Sequence, residues 1–71
     1  MITGKQLRMA KAALGLNNRD LSKETGLHFN TINRAENDLG KAGNLLLLQT
    51  TLEAKGIEFI GTTGVNLVDS D

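Results

Sequence analysis

The sequence has no cysteine, no tyrosine and a single histidine among its 71 residues. Without cysteine there is neither a disulfide framework nor a thiolate zinc site, and one histidine is too few for a metal centre, so neither metal nor cofactor is expected. The same absences leave no nucleophile–base set, and no glycine-rich phosphate loop is present, so the chain is not expected to be an enzyme. No long apolar run and no signal-peptide pattern follows Met1, which reads as a true start. No membrane association is expected, and the cytoplasm is the expected location. An excess of one charge is missing too, because eight Lys/Arg balance eight Asp/Glu. What remains is one small domain near the lower limit for an autonomous core, stabilised by helix packing and self-association.

Neutrality conceals an asymmetry. Residues 1–41 hold seven bases (Lys5, Arg8, Lys11, Arg19, Lys23, Arg34, Lys41) against four acids (Asp20, Glu24, Glu36, Asp38), a balance of +3. Residues 42–71 hold Lys55 against Glu53, Glu58, Asp69 and Asp71, a balance of −3. A basic half beside an acidic half suits one surface for DNA and another for a protein partner.

Hydrophobic spacing divides residues 1–56 into four helices. Thr3 and Gln6 have capping-box spacing at the start of the first helix, Leu7, Ala10 and Leu14 form its apolar stripe, and Gly15 ends it. Asn17 is placed to cap a second helix that runs through Leu21 to about Thr25, where Gly26 stops it. Leu27 plugs the core at the turn, and His28 or Phe29 opens a third helix with Ile32, Ala35 and Leu39 on one face. A loop over residues 38–43 leads to a fourth helix capped by Asn44, with Leu45, Leu48 and Leu52 inward and Gly56 at its end. Residues 57–71 follow as two short β-favouring runs around a glycine-bounded turn, a hairpin signal, with a frayed tail at Asp69 to Asp71.

Residues 17–37, NNRDLSKETGLHFNTINRAEN, carry the functional signal. Two short helices that cross closely need a small residue in the first, Ser22, a glycine at the turn, Gly26, and apolar anchors, Leu21, Leu27, Ile32 and Ala35. That is the layout of a helix-turn-helix. On the third helix Asn30, Asn33, Arg34 and Asn37 fall opposite the apolar face. Asn pairs bidentately with adenine, and Arg with guanine or a phosphate. Three asparagines on one helix are costly for helix stability, which points to a demand other than folding. Asn37 reads more as a helix end than as a base reader.

The segments LGLNNRDLSKETGL and TINRAEN, after a basic first helix, resemble the Xre/Cro/repressor family of small phage and bacterial helix-turn-helix regulators. The likeness spans about residues 4–55, and the ending LEAKGIEFI…GVNLV resembles a subgroup with a β-hairpin after the fourth helix. The resemblance implies a mainly α fold, a four-helix lambda-repressor-like domain over residues 1–56 followed by a C-terminal β-hairpin over 57–71. It implies contacts to double-stranded DNA from His28, Phe29, Asn30, Asn33 and Arg34 on the recognition helix. Asn18 stands where the family has a polar residue, often Gln, that touches phosphate and buttresses that helix, and Arg19 adjoins it on the DNA-facing side. By position Lys11 and Glu36 correspond to a pair that ties the first helix to the third; on an exposed surface such a pair adds at most about 1 kcal/mol. Phe29 replaces a polar base-reader. It either touches thymine methyl groups or folds onto the rim of the core. His28 is either an N-cap or phosphate contact, or simply exposed.

The fourth helix carries four consecutive leucines, of which Leu46 and Leu47 point off the core stripe. Either they meet a partner or the hairpin folds back over them. A lone hairpin is marginal in water, so it packs on the fourth helix or pairs edge-to-edge with a second copy. Leu46, Leu47, Phe59, Ile60, Val65 and Leu67 are the dimer-interface candidates. The expected function is a sequence-specific transcriptional regulator, a repressor, that binds a short inverted repeat as a homodimer. The alternative is an antitoxin-like or adaptor module that binds DNA weakly and a protein partner instead. No small-molecule effector is evident.

Overall fold

The computed structural model describes residues 1–68. The chain forms helices α1 (Gly4–Leu14), α2 (Asn18–Thr25), α3 (Phe29–Glu36) and α4 (Ala42–Glu53), then strands β1 (Ile57–Ile60) and β2 (Gly64–Leu67). It is therefore mainly α with a C-terminal antiparallel hairpin, as the hydrophobic spacing implied. The expected tail at Asp69 to Asp71 lies outside the described residues.

The helix ends follow their capping chemistry. At α1, Thr3 Oγ1 accepts from the Gln6 backbone N–H at 3.2 Å, and Gln6 Oε1 accepts from the Thr3 N–H at 3.0 Å. A second reciprocal box, Asn17 with Asp20, opens α2. Each box satisfies N–H groups that have no partner within the helix. Gly26 ends α2 at φ 77°, a left-handed conformation that a side chain disfavours. Only Leu27 and His28 then separate it from α3. Leu7 and Ala10 of α1, Leu21 of α2, Ile32 and Ala35 of α3, Leu48 and Leu52 of α4, and Ile57 of β1 are buried together with Ile2. Leu14, Leu16, Leu27 and Leu45 pack around that cluster.

Three sequence expectations are corrected. Leu39 does not share the inner face of α3: the helix ends at Glu36, Asp38 takes a positive φ of 60°, and Leu39 is 63% exposed. The reversal at Asp38 carries Leu39 off the helical repeat. Asn44 does not cap α4, which starts two residues earlier at Ala42 behind Lys41, whose side chain makes no cap bond. Gly43 is helical, and Gly40 is the loop glycine: a Cβ there would sit 2.9 Å from Ala35 Cα. Finally, α4 ends at Glu53, and Gly56, at φ 98°, turns the chain into β1.

The hairpin belongs to the same core. Ile57 pairs with Leu67 and Phe59 with Val65 across the strands. Ile57 is buried and Phe59 and Val65 are half-buried against the core, while Glu58 and Ile60 point outward. β2 lies against α1 and β1 against α4. Phe59 and Val65 are thus occupied within their own molecule, whereas Ile60, Leu67, Leu46 and Leu47 are exposed. The hairpin does not cover Leu46, which is 60% exposed.

Candidate nucleic-acid interface

α3 has eight residues, too few for a stable helix in isolation, so its geometry comes from its ends and its buried face. At the N-terminal end His28 is the cap, its Nδ1 accepting from the Asn30 N–H at 3.1 Å. At the C-terminal end Asn37 Nδ2 donates to the Asn33 carbonyl at 2.8 Å. Ile32, Ala35 and Glu36 are buried. Phe29, Asn30, Asn33 and Arg34 are exposed, so the face opposite the core is the one read from the sequence as polar.

The Lys11–Glu36 pair is present, and it is not a surface pair. Lys11 Nζ lies 2.7 Å from Glu36 Oε2, with side-chain exposures of 15% and 9%. Asn18 joins it: Lys11 Nζ donates to Asn18 Oδ1, and Asn18 Nδ2 donates to Glu36 Oε1 at 2.8 Å. One polar chain therefore links α1, α2 and α3. Asn18 thus braces α3 from α2, the buttressing part of its expected role, and its half-exposed amide also lines the cleft beside Arg19. Arg8 Nη1 also donates to the Glu36 carbonyl at 3.2 Å. Closer still, the Gly4 N–H donates to Asp38 Oδ1 at 2.7 Å, and a Cβ on Gly4 would sit 2.1 Å from the Glu36 carbonyl oxygen. The end of α3 is seated on the start of α1 at a spot where only glycine fits.

Every acid of residues 1–41 is engaged within the fold: Asp20 in a capping box, Glu24 with Lys55 at 2.7 Å, Glu36 with Lys11, and Asp38 on Gly4. Among the described residues Lys5, Arg8, Arg19, Lys23, Arg34 and Lys41 form no ion pair. Two clefts flank α3. One is lined by Asn18, Arg19, Ser22 and Phe29, the other by Thr31, Arg34, Leu39, Gly40, Lys41 and Asn44. A cation thus stands on each side of the exposed face, and the second cleft lies at the N-terminus of α4, where backbone N–H groups lack a side-chain cap.

Of the residues expected to touch DNA, Arg19, His28, Phe29, Asn30, Asn33 and Arg34 are gathered on this exposed surface. Lys41 was missed. Its signal was a basic residue immediately before a helix, hidden because the loop was extended to residue 43. Arg8 and Asp38 were missed because their bonds join residues 28 and 34 positions apart. No cluster of three or more potential metal ligands occurs among the described residues. The arrangement α2–turn–α3, with a polar outer face on its second helix, is helix-turn-helix geometry. No family model, no curated protein and no solved structure matches the chain.

Proposed function

We propose that the chain is a sequence-specific DNA-binding regulator of the Xre/Cro kind, a repressor that acts by occupying an operator. The observation that carries this is the α3 face, with Asn30, Asn33 and Arg34 outward between two cation-bearing clefts. Arg19 and Lys41 position the protein on phosphates, and the first turns of α3 reach base edges in the major groove. One eight-residue helix supplies few base contacts, so the functional unit is a homodimer on an inverted repeat. Half-sites one helical turn apart are about 34–36 Å from centre to centre, and the molecule is 33 Å in its longest dimension. No described helix is long and apolar enough to cross a membrane, and association with the nucleoid is the location this function implies.

Selection of bound duplexes from a random pool tests the proposal and returns half-site symmetry. Asn30→Ala and Arg34→Ala should each weaken binding to the selected duplex by about 1–3 kcal/mol with unchanged circular dichroism. Affinity should fall steeply as salt rises. A salt-independent affinity, or indifference to both substitutions, refutes the assignment of α3.

Exposed Leu39, Leu46, Leu47 and Ile60 favour a second reading, a protein-interaction module that binds DNA weakly. In that case a partner binds with high affinity, and Leu46→Ser abolishes that complex without altering DNA affinity. A mass corresponding to a monomer at DNA-binding concentrations contradicts the homodimer.

A further inference from the structure

We infer that Phe29 reads the C5-methyl group of thymine, so that α3 selects half-sites with a thymine beside the base that Asn30 faces. This deepens the duplex-DNA function proposed above and rests on it. Phe29 is 56% exposed at the first position of α3, on a face otherwise made of Asn30, Asn33 and Arg34. It is not a rim residue of the core. The ring is nevertheless held in place. It stacks on His28 with centroids 4.3 Å apart and 29° between planes, and His28 is itself fixed by its cap bond to Asn30. The ring also lines the cleft with Asn18, Arg19 and Ser22, where Asn18 is bonded to Lys11 and Glu36. A side chain positioned this way loses little conformational entropy on binding.

Charge identifies the occupant. Arg19 shares the cleft with Phe29, Arg34 lines the cleft on the other side of α3, and neither forms an ion pair among the described residues. The surroundings call for an anionic partner, while Phe29 calls for an apolar group within it. In duplex DNA the bases are stacked and offer their edges, and the apolar group in the major groove is the thymine methyl. The N-terminal residues of a recognition helix are those that reach base edges, which places Phe29 and Asn30 on adjacent bases.

The test replaces each thymine of a selected duplex by uracil, one symmetric pair of positions at a time. Uracil keeps every hydrogen-bonding group and removes only the methyl. One position should show affinity weakened about fourfold per half-site, equivalent to about 0.8 kcal/mol, the transfer of one methyl-sized group. Phe29→Ala should weaken binding to the thymine duplex and bind thymine and uracil duplexes equally. Wild-type binding that is indifferent to uracil at every position overturns the inference and leaves DNA recognition standing. So does a Phe29→Ala variant that keeps the thymine preference. Tighter binding of the single strand than of the duplex also overturns it, by pointing to stacking on exposed bases. Failure to bind any duplex removes the function on which the inference depends. The uracil scan uses the unaltered protein, so it does not depend on a variant folding.

Discussion

Replacing Gln6 by alanine should destabilise the fold by about 2–4 kcal/mol, a large effect for a residue at the start of a helix. Its side chain is fully buried, at 0% exposure. Besides closing the capping box through Oε1, it donates from Nε2 to the carbonyls of Gly64 at 2.9 Å, Gly61 at 3.0 Å and Ile60 at 3.3 Å. Thr3 adds a bond from Oγ1 to the Thr62 carbonyl at 3.0 Å. The first turn of α1 therefore latches the tip of the hairpin. Two N–H groups serve three acceptors, and the exposed turn lets water reach Gly61, so truncation strands about two polar groups and leaves a cavity. At about 1–2 kcal/mol for each stranded group the sum is the figure above. A domain this size holds about 4–10 kcal/mol in total. Urea denaturation should show the midpoint falling at constant slope. Gln6→Met separates volume from bonding, because it refills the cavity and restores none of the bonds. Gln6→Glu should be the least stable of the three at neutral pH, since it sets a carboxylate against three carbonyl oxygens. Those neighbours favour the protonated form, raising its folded pKa above the unfolded value. That variant is therefore most stable below the unfolded carboxylate range and loses stability as pH rises through the raised pKa. If alanine and methionine both stay within about 0.5 kcal/mol of the parent, the latch has no net value and the reasoning is wrong.

Gly4→Ala tests the seating of α3 on α1: inside a helix this exchange ordinarily gains about 0.5–1 kcal/mol, but here a 2.1 Å approach to a backbone oxygen should turn it into a loss of about 1–3 kcal/mol by thermal or urea unfolding. A stabilised variant would show that the two helix ends do not touch. Lys11→Met leaves Glu36 and Asn18 without their cation, and should cost about 2–3 kcal/mol, less than the about 3–5 of a fully buried pair because Lys11 stays 15% exposed. Lys11→Met combined with Glu36→Met should recover much of that loss in a double-mutant cycle, and additive losses would contradict a coupled pair.

How much of this was visible in the sequence depended on distance along the chain. The capping box at Thr3, the glycine stops at Gly15 and Gly26 and the core stripe of Leu7, Ala10, Ile32 and Ala35 are local signals, and the structure contains all of them. The end of α3 was not legible. A helical repeat carries Leu39 onto the inner face, and only the left-handed turn at Asp38, a residue type that tolerates it, takes Leu39 away. Gln6 read as half of a capping box because its other three partners lie 54, 55 and 58 residues away. Asn18 was placed by analogy with a longer side chain. Its bonds to Lys11 and Glu36 join residues 7 and 18 positions apart, which spacing along the chain did not reveal. Composition hid the distribution of charge: Glu24 and Glu36 are paired with Lys55 and Lys11, while Arg19, Arg34 and Lys41 form no ion pair among the described residues.

The contacts that seat α3 have a mechanical consequence. An eight-residue helix does not hold its own orientation, so the face carrying Asn30 and Arg34 is aimed by what grips its ends. At the C-terminal end the grip is α1, through Gly4, Arg8 and Lys11. The same first turn of α1 holds the hairpin through Thr3 and Gln6. Gly4 thus lies between two residues bonded to the hairpin while itself bonded to Asp38. A change at the hairpin that displaces the first turn of α1 should shift the end of α3 as well, because the Gly4 N–H is bonded to Asp38 Oδ1 at 2.7 Å and the Gly4 backbone packs too closely on Glu36 to admit even a methyl group. Thr3→Val removes the bond to Thr62 and half of the capping box without touching α3. It should therefore weaken binding to a selected duplex beyond what its loss of stability explains, measured well below the unfolding transition. Unchanged DNA affinity at that temperature would mean that the hairpin bonds and the seat of α3 act independently although both lie in the first turn of α1, and that α3 is aimed by its other contacts.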